Sequence, residues 1–559
     1  MKLRYKIWLL IFGIIAIVIV SANIILNTIV TKVVKTEIEN INSKGAIFLT
    51  LEKTEIDVFT SHLTLKGLHI KPDSLFFENF KLGKTPKAIA SEFYLSELKI
   101  KGFDIFNILL SKEISVDKII AKDIDLNIYK SDTYLNSKEA PKKSFDSIFI
   151  KGIEKIDISN IEFNNFKLTI INAQKIDTLF AYQEKSCLIS GIAFNAYPNA
   201  ENYFKFNKDS LQIQLKNQHI DLEKGNYDLF LEDILYDFPK KTIQVSNFKL
   251  KPKIDKFKLA STYKYNSEVY EVASKKIIFN GFYIDSIIKN GVIAIDSIDV
   301  DGLNLDIYKD QTKPFNKQKR PLYLNQKLKR LDQPIYIQKV LIKNSLFTYK
   351  EKHDITNELL TVTISDINAN FNHITSIKDS LKNSKPLNIH ILGKLNNVAH
   401  LNLTVFMPYN TWNNSFSFVG KLGGANFKEF NTAIYPATGV KFEEGKLHSM
   451  NFSVHGTPAG SKGEMTMLYS DIKIDILKEH KKMKTASWLG NTLMNNSNPS
   501  KNGKLRVGII EFERVPYKGF GNLLWKSVMS GMVNTLNPIG KTEKEVKKKS
   551  RKKWFSKKR

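Results

Sequence analysis

The stretch ISVDKIIAKDIDLNIYKSDT, which begins at Ile114, returns almost in register as IAIDSIDVDGLNLDIYKDQT from Ile293. In both copies apolar and polar residues alternate, which is the period of a β-strand with one buried face. Looser copies begin at Tyr94, Gly152 and Tyr336. The copies recur at irregular intervals, so the pattern predicts repeated strand units and not a solenoid of fixed period.

Each copy carries a polar dipeptide of a kind that favours turns. The five dipeptides are Lys101-Gly102, Lys122-Asp123, Ser159-Asn160, Asp301-Gly302 and Lys343-Asn344. Asn, Asp and Gly tolerate the positive φ that tight hairpins require, so we predict a hairpin at each dipeptide. No sustained helical period occurs between about residue 50 and residue 510. The body of the chain is therefore predicted to be mainly β, as a long succession of short strands.

The N-terminal segment has the character of a membrane anchor. Residues 7–26 form an apolar run, and about 20 apolar residues are enough for a helix to span the roughly 30 Å hydrocarbon core of a bilayer. Lys2, Arg4 and Lys6 precede this run. The positive-inside rule therefore predicts a single transmembrane helix with a cytoplasmic N-terminus and an exported body.

A cleaved signal peptide is the alternative interpretation of this segment. Val20-Ser21-Ala22 is an acceptable cleavage pattern, but apolar character continues as far as Val30 and favours a retained anchor. Export under either interpretation argues against nucleic acid as the partner of a chain with a net charge of +28, and leaves an anionic membrane surface. The single cysteine, Cys187, excludes an intramolecular disulfide.

Several of these features resemble the AsmA-like proteins of Gram-negative envelopes. They are the basic N-terminus, the one membrane helix, the phrase LTLKGLHI from Leu63 and the phrase IDSIDVDGLNL from Ile295. A second resemblance lies in GVKFEEGKLHSMNFSVHGTPAGSKGEMTMLYSDIKIDIL from Gly439, which is similar to the C-terminal region of that family. The resemblance covers most of the chain, and its motifs are hydrophobic phrases without catalytic residues.

The resemblance implies a single-pass protein of the inner membrane whose bulk is periplasmic. It implies a long, twisted, largely antiparallel β-groove, related to the chorein-type bridge proteins. The apolar interior of such a groove shields acyl chains and helps to move phospholipid between the inner and outer membranes, in support of outer-membrane biogenesis.

Alternation also predicts which residues line an apolar face. Leu303, Leu305 and Ile307 point to one side of their strand, and Asn304 and Asp306 point to the other. A sheet with one apolar face must cover it, so the sheet either closes into a dry sandwich core or curls around a ligand. We expect acyl chains, because each methylene in water costs about 0.8 kcal/mol. The candidate groove residues are Ile298, Val300, Leu303, Leu305 and Ile307 in one repeat and Ile124, Leu126 and Ile128 in the other.

No catalytic or cofactor-binding arrangement is found in the sequence, and no enzyme activity is predicted. The ten histidines lack zinc-binding spacing, and neither a Gly-x-Ser-x-Gly elbow nor a phosphate-binding Gly-x-x-x-x-Gly-Lys-Ser/Thr loop is present. Asp296, Asp299 and Asp301 are close in sequence but lack the pattern of a calcium loop. We interpret them as a solvated strand face, so no metal ligand is predicted.

The C-terminal segment suggests a membrane contact. FGNLLWKSVMSGMVNTLNP is predicted to be an amphipathic helix whose apolar face carries Phe520, Leu524, Val528 and Met532. The following residues 541–559 contain eleven basic and two acidic side chains, which favours an anionic lipid surface. The candidate contacts in this tail are Lys547, Lys548, Lys549, Arg551, Lys552 and Lys553. Alternatively, the helix plugs the end of the β-body.

The predicted organisation has six segments. They are the N-terminus and anchor (1–30), an amphipathic linker helix (31–45), an N-terminal β-groove with the repeated units (46–380), a C-terminal AsmA-like β region (381–515), the amphipathic helix (516–538) and the basic tail (539–559). Two functions from different classes remain open. One is a phospholipid carrier whose C-terminus reaches a second membrane or an envelope protein, and the other is a non-enzymatic envelope scaffold or assembly factor with a closed β core.

Overall fold

The computed structural model describes most of the chain from residue 47 to residue 537. The described ranges are 47–57, 60–85, 89–103, 113–131, 155–196, 204–207, 209–222, 225–284, 286–287, 291–353, 358–377, 385–476 and 494–537, with scattered helical residues between 28 and 42. They form two compact units. We call residues 1–218 with 233–240 the N-terminal unit and residues 219–232 with 241–559 the C-terminal unit.

The N-terminal unit is built from a mixed sheet. Its strands are β1 (Ile47–Thr50), β2 (Lys53–Asp57), β3 (His62–Pro72), β4 (Ile89–Phe103), β5 (Glu113–Lys130), β6 (Lys155–Asn172), β7 (Thr178–Ala196), β8 (Phe204–Asn207) and most of β9 (Gln212–Leu222). Strands β1 and β2 both pair with β3, and β3, β4 and β5 are antiparallel. Strands β5 and β6 run parallel, and β7 then pairs antiparallel with β6, β8 and β9.

The C-terminal unit contains the longer series of strands. They are part of β10 (Tyr227–Asp237), β11 (Thr242–Pro252), β12 (Glu268–Asn280), β13 (Ile293–Asp301), β14 (Asn304–Asp310), β15 (Ile335–Lys352), β16 (Leu359–Thr375), β17 (Leu387–Leu395), β18 (Ala399–Met407), β19 (Phe416–Leu422), β20 (Ala425–Asn426), β21 (Val440–Thr457), β22 (Gly460–Ile476) and β23 (Gly508–Glu513). Strands β13 and β14 both pair antiparallel with β12 and parallel with β15. From β15 to β23 the ladder is antiparallel.

The mainly β fold predicted from the sequence is confirmed, and the repeat at Ile114 and Ile293 is a structural repeat. Each copy forms a long strand path, β5 or β13–β14, that runs parallel to the next strand of the sheet. A parallel pair needs a crossover connection of a dozen or more residues. Both crossovers have the same length, residues 131–154 and 311–334, which is 24 residues each from the ends of the flanking strands.

The predicted hairpins at the polar dipeptides are wrong. Lys122-Asp123, Ser159-Asn160 and Lys343-Asn344 lie inside β5, β6 and β15, whose ladders continue on both sides. The strand path also continues through the other two dipeptides. Lys101 and Phe103 both pair with β5. Strands β13 and β14 pair with the same two neighbouring strands. The strands are accordingly longer than predicted.

The positive φ expected at these dipeptides is present in all of them except Ser159-Asn160, but it serves a different purpose. Asp123, Gly302 and Asn344 have φ of 52°, 62° and 50°. A single left-handed residue adds one residue to a strand and bends it, as in a β-bulge, whereas a chain reversal needs a complete turn. Gly67 and Asn165 in neighbouring strands of the N-terminal unit have the same conformation. We call each aligned set of such residues a kink row.

Five α-helices whose bounds are fully described accompany the strands. They are α1 (Ser74–Lys81), α2 (Lys256–Thr262), α3 (Leu324–Lys329), α4 (Asn431–Thr438) and α5 (Phe520–Leu536). Asp73 and Asp255 cap the N-termini of α1 and α2, because each side chain accepts hydrogen bonds from two first-turn N–H groups. The first four helices have at most eight residues, which is too short to produce a sustained helical period in the sequence.

The largest core lies in the C-terminal unit, between strands β17–β23 and helix α5. Phe418, Val454, Met465 and Ile510 are completely buried there, and Leu523 of α5 packs among them. This part of the sheet therefore has a dry, closed core of the kind that one of the two sequence interpretations describes.

The predicted anchor at residues 1–30 lies, except for Thr28, outside the described residues. Within the described part of the chain, no helix is both long enough and apolar enough to cross a bilayer.

Candidate functional site

The kink rows keep apolar side chains on one face of each sheet. In β5, Ala121 and Ile124 are three residues apart and would point to opposite sides of a regular strand. Both nevertheless belong to one apolar cluster, together with Leu95 of β4, because Asp123 between them shifts the phase by one residue. Gly302 has the same place in the second repeat, between Asp301 and Leu303. The candidate residues on both sides of each kink therefore share a face.

A hydrogen bond between an Asn and an Asp accompanies the kink in both repeats, although Asp123 is itself the left-handed residue and Asp301 precedes Gly302. Asn165 Nδ2 donates to Asp123 Oδ1 at 2.8 Å, and Asn344 Nδ2 donates to Asp301 Oδ1 at 2.8 Å. Hydrogen bonds from Asn165 and from Ser96 hold the pKa of the Asp123 carboxyl below its ordinary value. The kink is thus an ordered feature that both repeats contain.

Apolar residues of the C-terminal unit line up across the strands in continuous rows. The row through Ile298 contains Ile243, Phe279, Ile298, Val340, Phe371, Ile389, Val405, Phe418, Val454, Gly463 and Ile510. The row through Val300 contains Val245, Ile277, Val300, Ile342, Ala369, Ile391, Leu403, Gly420, Phe452, Met465 and Gly508. Beyond the kink, the row through Leu305 contains Leu250, Val272, Leu305, Phe347, Ile364 and Leu395. These three rows define the apolar face of this unit.

The cover of the apolar face changes along the rows. At the β17–β23 end, Val405 and Phe418 are buried beneath neighbouring elements that include α5. At the β11–β16 end, Phe279, Ile298 and Val340 of the same row are only half-buried. The structure thus combines a closed core with an apolar face that keeps part of its surface accessible.

The N-terminal unit has an apolar face of its own. One row contains Ile56, Leu63, Ile100, Ile119, Ile161, Ile189 and Ile213, and another contains Leu49, Ile70, Phe93, Leu126, Leu168 and Tyr182. The members of both rows are half-buried. Among the predicted groove residues, Leu126 and Ile128 are half-buried and Ile124 is buried in the cluster with Leu95.

The opposite face of the second repeat is polar. Asp306 lies 2.9 Å from Lys256 Nζ and 3.2 Å from Lys350 Nζ, and Asn304 is exposed. Tyr308 on the same side packs against Leu259 of α2. The predicted separation of Leu305 from Asp306 is therefore present, although a helix covers part of the polar side.

The four predicted membrane contacts of α5 face the protein. Val528 is buried, and Phe520, Leu524 and Met532 pack against the main core. This placement corresponds to the alternative in which the helix plugs the end of the β-body. A membrane contact through these four side chains would require the helix to leave the sheet. The candidate cations of the tail, from Lys547 to Lys553, lie outside the described residues.

Two half-buried lysines lie near the apolar face where α5 begins. Burial lowers the pKa of Lys518 and of Lys526, and the Glu351 carboxylate opposes this shift for both. Lys518 Nζ lies 4.5 Å from the centre of the Phe315 ring. Glu351 itself accepts hydrogen bonds from Gln311 and Tyr349. Two lysines and one carboxylate therefore interact electrostatically in this region.

One group of side chains has the composition of a metal site. His219, Asp221 and Asp228 offer ligand atoms within 4.8 Å of one another. However, Lys253 Nζ lies 2.6 Å from Asp221 and 3.8 Å from Asp228, and His219 contacts Asp228 at 2.8 Å. The carboxylates already have Lys253 and His219 as partners, so the group is a surface ion-pair network.

Sequence reasoning missed two surface features of the C-terminal unit. Residues 313–330 contain seven basic and no acidic side chains, and Trp412 lies in a loop with 94% of its surface exposed. The absence of acidic residues could have been read from the sequence. The exposure of Trp412 could not have been read from the sequence, because many aromatic residues of this chain are surrounded by apolar neighbours.

No protein-family model matches this chain, and a search of characterised proteins finds no similar sequence.

Proposed function

We propose that this protein is a membrane-anchored, periplasmic carrier of phospholipid acyl chains, similar to the AsmA-like proteins. The single observation that carries the proposal is the apolar face of strands β11–β16, whose half-buried rows include Ile298, Leu305 and Phe347. In a closed core such side chains would be fully buried. A half-exposed apolar face is stabilised when it takes up apolar ligand surface.

The energetic scale favours an acyl chain. Each methylene removed from water contributes about 0.8 kcal/mol, so a sixteen-carbon chain gains on the order of 10 kcal/mol on leaving water. The row through Leu305 continues over six strand positions, from β11 to β17, and at about 4.8 Å spacing it offers an apolar path over about 24 Å. In this proposal the face lowers the barrier for phospholipid transfer between inner and outer membranes, with the N-terminal anchor in the inner membrane and no chemical step.

The second candidate is a non-enzymatic envelope scaffold. The closed core of strands β17–β23 favours it, since Phe418 and Val454 are completely buried. A scaffold with a fully dry interior does not copurify with stoichiometric lipid, which separates it from the carrier.

Lipid content tests the proposal. The full chain would be extracted in mild detergent, and its bound lipids would be quantified by mass spectrometry. We expect Leu305→Glu to reduce bound phospholipid severalfold, because an unpaired carboxylate in an apolar site costs several kcal/mol. Asn304→Glu is the matched control on the other side of the same strand, and it should leave lipid content unchanged.

The control at residue 304 is better than one at Asp306, whose carboxylate contacts Lys256 and Lys350. Circular dichroism must show that both variants are folded. A folded Leu305→Glu protein with undiminished lipid, or a wild-type protein without lipid, would reject the carrier and favour the scaffold.

A further inference from the structure

The crossover between β14 and β15 exposes a group of basic side chains. We call residues 311–334 the basic crossover. Its exposed cations are Lys317, Lys319, Arg320, Lys327 and Arg330. In the described part of the chain, the ion pairs involve none of these five side chains. A surface with such an excess of positive charge attracts anionic partners.

Helix α3 within the basic crossover also exposes apolar side chains. Its inner side is fixed, because Asn325 and Leu328 are buried. Leu324 and Leu331 are each 38% exposed, and Lys327 between them is exposed as well. Leu324 begins α3 and Leu331 lies just beyond its last residue, so two leucines and a lysine are exposed in and next to this helix. Leucine and lysine together suit the boundary between headgroups and acyl chains.

A tryptophan loop lies beside α3. We give this name to residues 408–415, which connect β18 to β19. Lys329 Nζ donates to Asn414 Oδ1 at 3.0 Å, and Asn325 Nδ2 donates to the Pro408 carbonyl at 3.2 Å, so the loop is attached to α3. Trp412 at its tip is 94% exposed. Indole rings favour the interface of a bilayer, where the ring is buried and the N–H group stays hydrated.

We infer that the basic crossover and the tryptophan loop together dock on the surface of an anionic lipid bilayer. The exposed cations meet the lipid phosphates, and Trp412, Leu324 and Leu331 enter the headgroup region. An acidic protein would satisfy the cations, but it would not account for an indole and two leucines displayed beside them. The inference gives the proposed lipid carrier a membrane contact, but its test involves no lipid transfer and does not depend on Leu305.

A local probe tests the docking in the full chain. An environment-sensitive NBD dye would be attached to Asn410→Cys in the tryptophan loop, in a Cys187→Ser background, with the protein held in phosphatidylcholine nanodiscs. Added vesicles would contain phosphatidylglycerol and brominated lipid, or phosphatidylcholine and brominated lipid. We expect a blue shift and quenching of the dye with the anionic vesicles only. A dye on Val419→Cys, on the exposed polar side of β19, should not be quenched.

Charge-matched variants distinguish binding through this surface from a general electrostatic attraction between the basic protein and anionic vesicles. The test variant replaces Lys317, Arg320, Lys327 and Arg330 with Gln, and the control replaces the exposed Lys249, Lys276, Lys428 and Lys446 with Gln. We expect the test variant, and also Trp412→Ser, to need at least tenfold more anionic vesicle for half-maximal quenching, and the control to change less than threefold. Vesicle binding without quenching at residue 410 would assign the contact to another segment and overturn the inference. Equal effects of both fourfold variants would overturn it as well.

Discussion

Gly508 in the last strand, β23, faces the backbone of Gly531 in helix α5. A Cβ atom on Gly508 would overlap the carbonyl oxygen of Gly531, and a Cβ atom on Gly531 would lie 2.7 Å from Ile510 Cγ1. The two glycines therefore allow the helix and the strand to approach as closely as their backbones permit. This contact places α5 against the last strand of the sheet.

The close approach also protects the edge of the sheet. Asn534 Oδ1 accepts a hydrogen bond from Ile509 N–H at 2.9 Å, and Ser530 Oγ accepts one from Glu511 N–H at 3.2 Å. Strand β23 pairs with β22 on its other side. Helix α5 thus takes up N–H groups that an open edge would offer to another chain.

We predict that Gly531→Leu destabilises the C-terminal unit by about 1–3 kcal/mol, the usual cost of overpacking a filled core. The measurement is urea unfolding followed by circular dichroism. Gly521→Ala is the matched control in the same helix, because nothing lies within 4 Å of its Cβ. It should stabilise the helix by up to about 1 kcal/mol. Equal stability of the Gly531→Leu variant and the wild type would contradict the close packing.

The second prediction distinguishes a helix that plugs the sheet from one that binds a membrane. Val528 is buried and Trp525 is 41% exposed. Val528→Asp should reduce the free energy of unfolding by about 3 kcal/mol or more, since it buries an unpaired charge. Trp525→Asp should cost less than about 1 kcal/mol. If Val528→Asp weakens binding to vesicles but leaves the unfolding curve unchanged, the helix is a membrane element and not a plug.

The third prediction concerns the left-handed residue at the kink of the second repeat. Gly302 has φ of 62°, and a Cβ there meets only the flexible Lys275 side chain, at 3.0 Å. Gly302→Val should cost about 1–2 kcal/mol through backbone strain, whereas Gly302→Asn should cost clearly less because Asn visits this region readily. Thermal unfolding of the two variants gives the comparison. Equal losses would mean that side-chain size and not backbone conformation matters.

The fourth prediction is a pH dependence. Burial raises the pKa of Tyr409 from its ordinary value of 10.0 to about 12, against a smaller opposing effect of the hydrogen bond from Thr375 N–H. The phenol also donates to the His373 carbonyl at 2.8 Å. A raised pKa means that the folded state favours the neutral phenol. Its stabilising contribution is complete below pH 10 and is lost as the pH rises from 10 through 12.

Tyr409→Phe provides the measurement of this effect. At pH 8 the variant should be about 1 kcal/mol less stable than the wild type, since it lacks the hydroxyl hydrogen bonds. This difference should narrow as the pH rises from 10 to 12, because only the wild type has to keep a buried phenol neutral. A difference that stays constant over this range would contradict the raised pKa.

The fifth prediction concerns topology and follows from the sequence. Lys2, Arg4 and Lys6 before the apolar run predict a retained anchor with a cytoplasmic N-terminus. A C-terminal tag should therefore be digested by protease added to intact spheroplasts. Mass spectrometry should find the peptide that contains residues 7–26 in the mature protein. A mature N-terminus at Asn23 would identify a cleaved signal peptide instead.

The sequence by itself determined the strand content and the sidedness of the strands. Both follow from alternation with a period of two, which is a local property: Leu305 and Asp306 must point to opposite sides of any extended chain. The repeat at Ile114 and Ile293 was likewise visible, because the same strand path requires the same pattern of residues.

Only the tertiary structure decided what happens at the polar dipeptides. Asp123 and Gly302 can occupy the left-handed region in a hairpin or in a kink, and the local sequence is compatible with both. The outcome depends on whether strands on both sides continue the ladder past the residue, as β4 and β6 do beside β5. That condition involves residues distant in the sequence, so local pattern cannot supply it.

Residues distant in the sequence also decide which part of the apolar face is a closed core and which part stays accessible. Ile298 and Phe418 belong to one cross-strand row and have the same apolar character, yet Ile298 is half-buried and Phe418 is completely buried. The difference comes from the elements packed above the sheet, among them α5, and from the glycines that admit this helix. Alternation fixes the side to which a residue points, whereas its burial depends on long-range packing, which no local pattern encodes.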